Sequence, residues 1–197
     1  MKIAATVLVG LAVVAALVIG LTQAGSRTGS EPSTATGAPT AAQASRFLQG
    51  SPAALAALHA QGSEILPGGP AGLKERMRAL RGFPLVINVW ASWCGPCRQE
   101  MPVLQKVSVS RGRKIAFLGV NLKDNTPAAR RLLREFPVAY PSYQDPDGKI
   151  YNANRLAGAP SMLFYSASGK RQYIHSGPYL STKDLNVDID RYAVAPK

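Results

Sequence analysis

The chain has 197 residues, 46% of them hydrophobic, and 23 Lys and Arg against 11 Asp and Glu give a formal charge of +12. That apolar content supports one packed domain plus extensions and argues against a disordered chain or a repeat array. Two cysteines are too few for a disulfide framework, and a zinc site, which needs roughly four ligands, would have to draw on His59 and His175, each isolated in the sequence.

The basic residues cluster at 74–81, 111–114, 130–134 and 170–171, without interleaved aromatics or a nucleic-acid reading motif. They read as a solvated surface suited to anionic lipid headgroups rather than as a nucleic-acid interface.

Residues 3–21 carry no charge over 19 positions and follow only Lys2 and the amino terminus. As a helix this segment reaches about 28 Å, close to the roughly 30 Å of a bilayer's hydrocarbon core. The favoured reading is an uncleaved signal-anchor over residues 1–23, with Lys2 on the inner side and the rest of the chain exported. A cleaved secretory signal is the competing reading, although 22–24 (TQA) matches a small-x-small cleavage site poorly. Residues 24–48, rich in Gly, Ser, Thr, Ala and Pro, are expected to form a flexible tether to a domain over 49–197.

Within that domain Ser51-Pro52 predicts a cap and first turn for a short helix ending near His59, which reads as a packing or surface residue. Leu73, Met77 and Leu80 share one face of a helix predicted over 70–81, which Gly82 ends. Residues 84–91 (PLVINVWA) read as a strand buried on both faces of a mainly parallel sheet. A helix over 99–107 and a second strand over 114–122 (KIAFLGVNL) complete a right-handed β-α-β unit. Thr126-Pro127 predicts another helix start, with Ala129, Leu132, Leu133 and Phe136 as its apolar stripe. A strand over 138–143, a turn at 145–148 (DPDG) and a hairpin of 161–165 with 172–175 around Ser168-Gly169 follow. Ser181 caps a last helix carrying Leu185, Ile189 and Tyr192.

Both cysteines fall in 92–98 (SWCGPCR), between the 84–91 strand and the next helix. A dithiol there meets free backbone N–H groups and the positive end of the helix dipole, which stabilise a thiolate at Cys94. The W-C-G-P-C run in this setting is far more specific than a bare C-x-x-C. It resembles the thioredoxin superfamily, and more narrowly the membrane-anchored TlpA/ResA/CcmG-like thiol-disulfide oxidoreductases, over residues 82–192. Trp90 and Trp93 match the paired tryptophans of thioredoxins, Pro102 the helix kink, and Gly158-Ala159-Pro160 the segment of the cis-proline.

The resemblance implies an α/β fold, a thioredoxin-like central mixed β-sheet flanked by helices. It implies that Cys94 attacks a substrate disulfide and Cys97 resolves the mixed disulfide. Gly95 and Pro96 set the tight turn that lets the sulfurs bond. Trp93, Ala159 and Pro160 complete a substrate-binding face, with Trp93 equally readable as packing and Pro160 leaving neighbouring backbone groups for an extended client. The buried aspartate of ordinary thioredoxins is replaced by Asn88, which cannot titrate. Glu100 matches the active-site glutamate of ResA-like proteins and is either a proton relay to Cys97 or an exposed carboxylate. Lys123 and Asp124 match a Lys-Asp pair of the CcmG-like branch and read as a loop salt bridge or helix cap.

The implied function is an extracytoplasmic, membrane-held reductase of exported protein disulfides, with no cofactor beyond the Cys94–Cys97 pair. Apocytochrome c is the implied client and a CcdA- or DsbD-type membrane thiol carrier the implied electron donor. The rival readings are a thiol oxidant of exported proteins and a tethered module that binds cysteine-bearing clients without turnover. A peroxide-reducing role ranks below all three.

Overall fold

The computed structural model describes residues 37–195. Its centre is a six-stranded sheet in the order β1-β4-β3-β2-β5-β6, formed by β1 (Ile65–Leu66), β2 (Leu85–Trp90), β3 (Ala116–Leu122), β4 (Ser142–Asp145), β5 (Ser161–Tyr165) and β6 (Arg171–Ser176). The first four of these strands run parallel, and β5 and β6 are antiparallel to their neighbours, so the sheet is mixed as expected.

Every residue of β2 is buried, because helices cover both faces of the sheet. Alternation along the strand sends Val86 and Trp90 into one core and Leu85, Ile87 and Val89 into the other. Each of these aliphatic side chains contributes roughly 1.5 to 3 kcal/mol by leaving water. The first core is closed by α4 (Gly95–Arg111), α5 (Thr126–Glu135), α7 (Thr182–Asp188) and the π-helical turn Ile189–Val194. The second is closed by α2 (Ala53–His59), α3 (Gly69–Ala79) and α6 (Lys149–Ala153).

One close approach in the first core depends on a missing side chain. Trp90 donates its indole N–H to Ser142 Oγ across β3, at 3.0 Å. A Cβ on Gly119 would lie 2.1 Å from that Oγ, so only glycine fits between the two.

Several elements differ from the sequence reading. The expected tether, 24–48, is helical at its end: Thr40 and Gln43 form a reciprocal capping box that opens α1 (Ala41–Phe47), and Leu48 packs with Val109 and Ala139. Ser51 does not cap α2; its hydroxyl donates back to the Leu48 carbonyl. Asn125, not Thr126, caps α5 by accepting from the Ala128 N–H. The strand expected at 138–143 begins only at Ser142 because Pro137 and Pro141 supply no N–H to a ladder.

The 145–148 turn is present, and it also starts a helix. Asp145 accepts from the N–H groups of Ile150 and Tyr151 while Gly148 takes a positive φ of 71°. His59 is a packing residue, its ring nitrogens each 3.0 Å from a carbonyl, those of Ala139 and Gly112. Among the described residues no helix is long and apolar enough to cross a membrane; the expected anchor at 3–21 lies outside them.

Candidate active site

The site forms where β2 ends and α4 begins. Cys94 occupies the N-cap of α4, and its Sγ accepts the Cys97 N–H at 3.2 Å. The two residues are joined by a disulfide, with Cα atoms 5.2 Å apart. Gly95 and Pro96 are the first two helical residues rather than a separate turn, and Pro96 sits where a missing N–H costs the helix nothing. Cys94 is 4% exposed and Cys97 is fully buried, so an incoming sulfur meets Cys94 first. Once the disulfide opens, the N–H groups of the first turn and the helix dipole face the Cys94 sulfur and favour its thiolate.

The β5 segment completes one side. Ser161 pairs with Val89, which brings the preceding cis Ala159–Pro160 bond to the C-terminal end of β2, beside the start of the dithiol segment. Ala159 packs against the core cluster that contains both cysteines. The Pro160 carbonyl is not left for a client, since Gly177 donates to it at 3.0 Å. The groups left open are one residue earlier: the N–H and C=O of Ala159 make no hydrogen bond among the described residues. Such a pair suits an extended backbone.

Trp93 is 62% exposed, which removes the packing reading. Its indole N–H donates to the Lys123 carbonyl at 3.2 Å, fixing an apolar ring next to Cys94 at the surface.

Lys123 and Asp124 form no salt bridge with each other. Asp124 instead accepts from the Ser92 N–H and Oγ–H, both at 2.6 Å, and from Asn121 Nδ2 and the Asn125 N–H, both at 2.8 Å. This carboxylate ties the β3–α5 loop to the residue two places before Cys94. Ser92 has no signal in the sequence that would link it to a position 32 residues away.

Glu100 lies on the inner face of α4 and is fully buried, which excludes the exposed-carboxylate reading. Its Oε2 accepts the Tyr179 N–H at 3.2 Å and its Oε1 makes no hydrogen bond. Loss of solvent raises its pKa to about 8, with the Tyr179 N–H pulling weakly the other way. The Tyr140 hydroxyl and the side chain of Asn88, also buried, make no hydrogen bond either. Tyr140 is pushed up by burial; the nearby Asn88 amide opposes the shift and the Glu100 charge adds to it. This interior therefore contains a carboxyl that is mostly protonated near neutral pH and, at Asn88, an amide that cannot titrate.

Arg98, in the first turn of α4, holds Glu135 through both carboxylate oxygens at 3.0 and 2.8 Å. Both side chains are half-exposed, so the pair orients α4 against α5 more than it stabilises the fold. Among the described residues no group of three His, Cys, Asp or Glu side chains converges as a metal site would require.

This arrangement has recognisable relatives. The Redoxin family matches residues 74–182. The chain is 40% identical over 91 residues to the thiol:disulfide interchange protein DsbE of Pseudomonas fluorescens biotype C, covering 46% of this chain and 49% of that protein. It is 25% identical over 122 residues to the thiol-disulfide oxidoreductase ResA of Geobacillus kaustophilus, covering 61% and 67%. The match thus spans from about half to two thirds of these relatives' own lengths. The solved structure of MTB DsbF, in mixed oxidised and reduced forms, is similar with a TM-score of 0.53 and 27% identity, over 57% of this chain and 82% of that one. On its sheet, its disulfide at the head of α4 and these matches, the chain belongs to the Redoxin family of the thioredoxin superfamily and is similar to DsbE and ResA proteins.

Proposed function

We propose that the protein is a thiol-disulfide oxidoreductase that reduces disulfides of exported proteins. The observation that carries this reading is the Cys94–Cys97 disulfide at the N-terminus of α4, with one sulfur reachable and the other buried behind it. In the reduced protein the Cys94 thiolate attacks a client disulfide, forming a mixed disulfide and releasing one client thiolate. Cys97, as thiolate, then attacks Cys94 Sγ; the second client sulfur leaves, and the protein's own disulfide is restored. Each cycle moves two electrons from the protein to the client.

The buried Glu100 supports the second step. Three positions after Cys97 on the same helix, its ionised fraction, which grows as pH rises toward about 8, takes the Cys97 proton as that thiol becomes nucleophilic. Trp93 offers an apolar platform and Ala159 a backbone donor and acceptor for the client segment. Gly95, Pro96 and Pro160 shape the floor between them.

The same reading places the domain outside the cytoplasmic membrane, held by the uncharged 3–21 segment. Relatives named DsbE favour an apocytochrome c client through the branch they mark, and a CcdA- or DsbD-type carrier would return the electrons. The competing direction, oxidation of exported thiols, differs in potential. A reduction potential near thioredoxin's roughly −270 mV fits a reductase, and one near DsbA's roughly −120 mV overturns that direction. Trapping with Cys97→Ser in the cell envelope tests the client: reduced haem-attachment cysteines caught on Cys94 fit the reading. Client capture that survives Cys94→Ser favours a binding module instead.

A further inference from the structure

The C-terminal end of β2 leads to the dithiol, where Asp124 and Asp145 are taken up in hydrogen bonds, Arg98 holds Glu135, and Lys123 is an exposed cation. The N-terminal end, six residues and about 20 Å away, gathers cations from three separate turns. Arg81 precedes β2, Arg113 and Lys114 precede β3, and Lys170 precedes β6.

The sheet register makes these four neighbours. Leu85 pairs with Ala116 on one side and Tyr165 on the other. The Gly82 N–H donates to the Ala167 carbonyl at 2.9 Å, and a Cβ on Gly169 would lie 3.6 Å from Arg81 Nε. All four side chains are on exposed residues, and none makes a hydrogen bond or ion pair among the described residues. Asp190 is bound by Arg111 at the end of α4.

Among the described residues no acid neutralises this cluster of cations. We infer that Arg81, Arg113, Lys114 and Lys170 form a docking face for anionic phospholipid headgroups, which turns the dithiol end away from the bilayer. The point where the chain enters the domain agrees. Pro39 meets Gln105, and Gly37 lies beside Lys106, in the half of α4 that leads to this cationic end. The inference rests on the membrane-held reading above and adds the orientation: clients reach Cys94 from the side facing away from the lipid.

Each cation near an anionic surface strengthens contact by about fivefold, and the effect fades beyond roughly 8 Å at physiological salt. The test uses the full chain reconstituted in bilayers of phosphatidylcholine alone or with about a third phosphatidylglycerol, read by hydrogen exchange. In the anionic bilayer, exchange at 111–115 and 166–170 should slow by about threefold or more, while 95–99 stays unchanged. The protection should vanish at about 0.5 M salt and in the combined variant R81Q/R113Q/K114Q/K170Q, whose disulfide-exchange rate in detergent should match the parent.

Flotation separates this face from the anchor. Flotation with pure phosphatidylcholine and equal exchange in both bilayers overturns the docking face and leaves the anchor standing. Flotation only with phosphatidylglycerol, with the predicted protection, supports the face and removes the anchor. Protection that instead appears in pure phosphatidylcholine when soluble polyglutamate is added, and not with phosphatidylglycerol, assigns the face to an acidic protein and overturns the lipid reading.

Discussion

Asp124 and Glu100 flank the same dithiol segment and are treated in opposite ways. Asp124 receives four hydrogen bonds, including two from Ser92, and spends its charge on holding a loop. Glu100 receives one, from a backbone N–H, and keeps an oxygen bare in the core. A carboxylate saturated with donors is a fixed anchor; one stripped of water and partners holds its proton into the neutral range. One carboxylate thus fixes a loop, and the other holds a titratable proton in the core.

The largest expected effect comes from the Glu100 side. Its folded pKa of about 8 lies above the ordinary value of 4.5, so the native state binds the proton more tightly than the unfolded chain. The stability this contributes is fully present below about pH 4.5 and is lost as pH rises through about 8, at up to ~1.4 kcal/mol per pH unit in between. Glu100→Gln should flatten that slope in denaturant titrations between about pH 5 and 8. Mixed-disulfide resolution should slow in the same variant, and an unchanged slope would place the titration elsewhere.

Asp124→Ala comes next. Leaving the Ser92 and Asn121 donors unpaired should cost about 3 kcal/mol by urea unfolding, with Asp124→Asn intermediate. Because Asp124 positions the segment, the exchange rate should fall in both variants without altering the Glu100-linked pH slope. Ser92→Ala removes one of those donors and should cost about 1 kcal/mol. Trp93→Ala should change stability by less than about 0.5 kcal/mol, since the ring is exposed, while lowering kcat/KM for protein clients more than for a small disulfide.

The sequence made the centre of the fold legible where the physics is local. Residues 84–91 are apolar throughout because helices cover both faces, and the W-C-G-P-C run names its own position at a strand-helix junction. The hairpin around Ser168-Gly169 is readable for the same reason, while Trp90 and Pro160 stand out only through the family resemblance. Several differences share a cause, contact across distance in the chain. Nothing local reveals that Asp124 reaches Ser92, that Leu48 meets Val109 and Ala139, or that Gly119 must admit the Trp90–Ser142 bond, whereas the Thr40–Gln43 capping box is itself a local signal. For Glu100 the sequence leaves two readings open, and burial removes the exposed carboxylate.

The account depends on Cys94 being the sulfur that engages a partner, with Cys97 held behind it. The most direct measurement is the rate at which each reduced single-cysteine variant reacts with a small aromatic disulfide at neutral pH. Cys97→Ser should react rapidly and trap the adduct on Cys94, while Cys94→Ser should be slower by about 100-fold or more. Equal rates, or a faster reaction at Cys97, would contradict it.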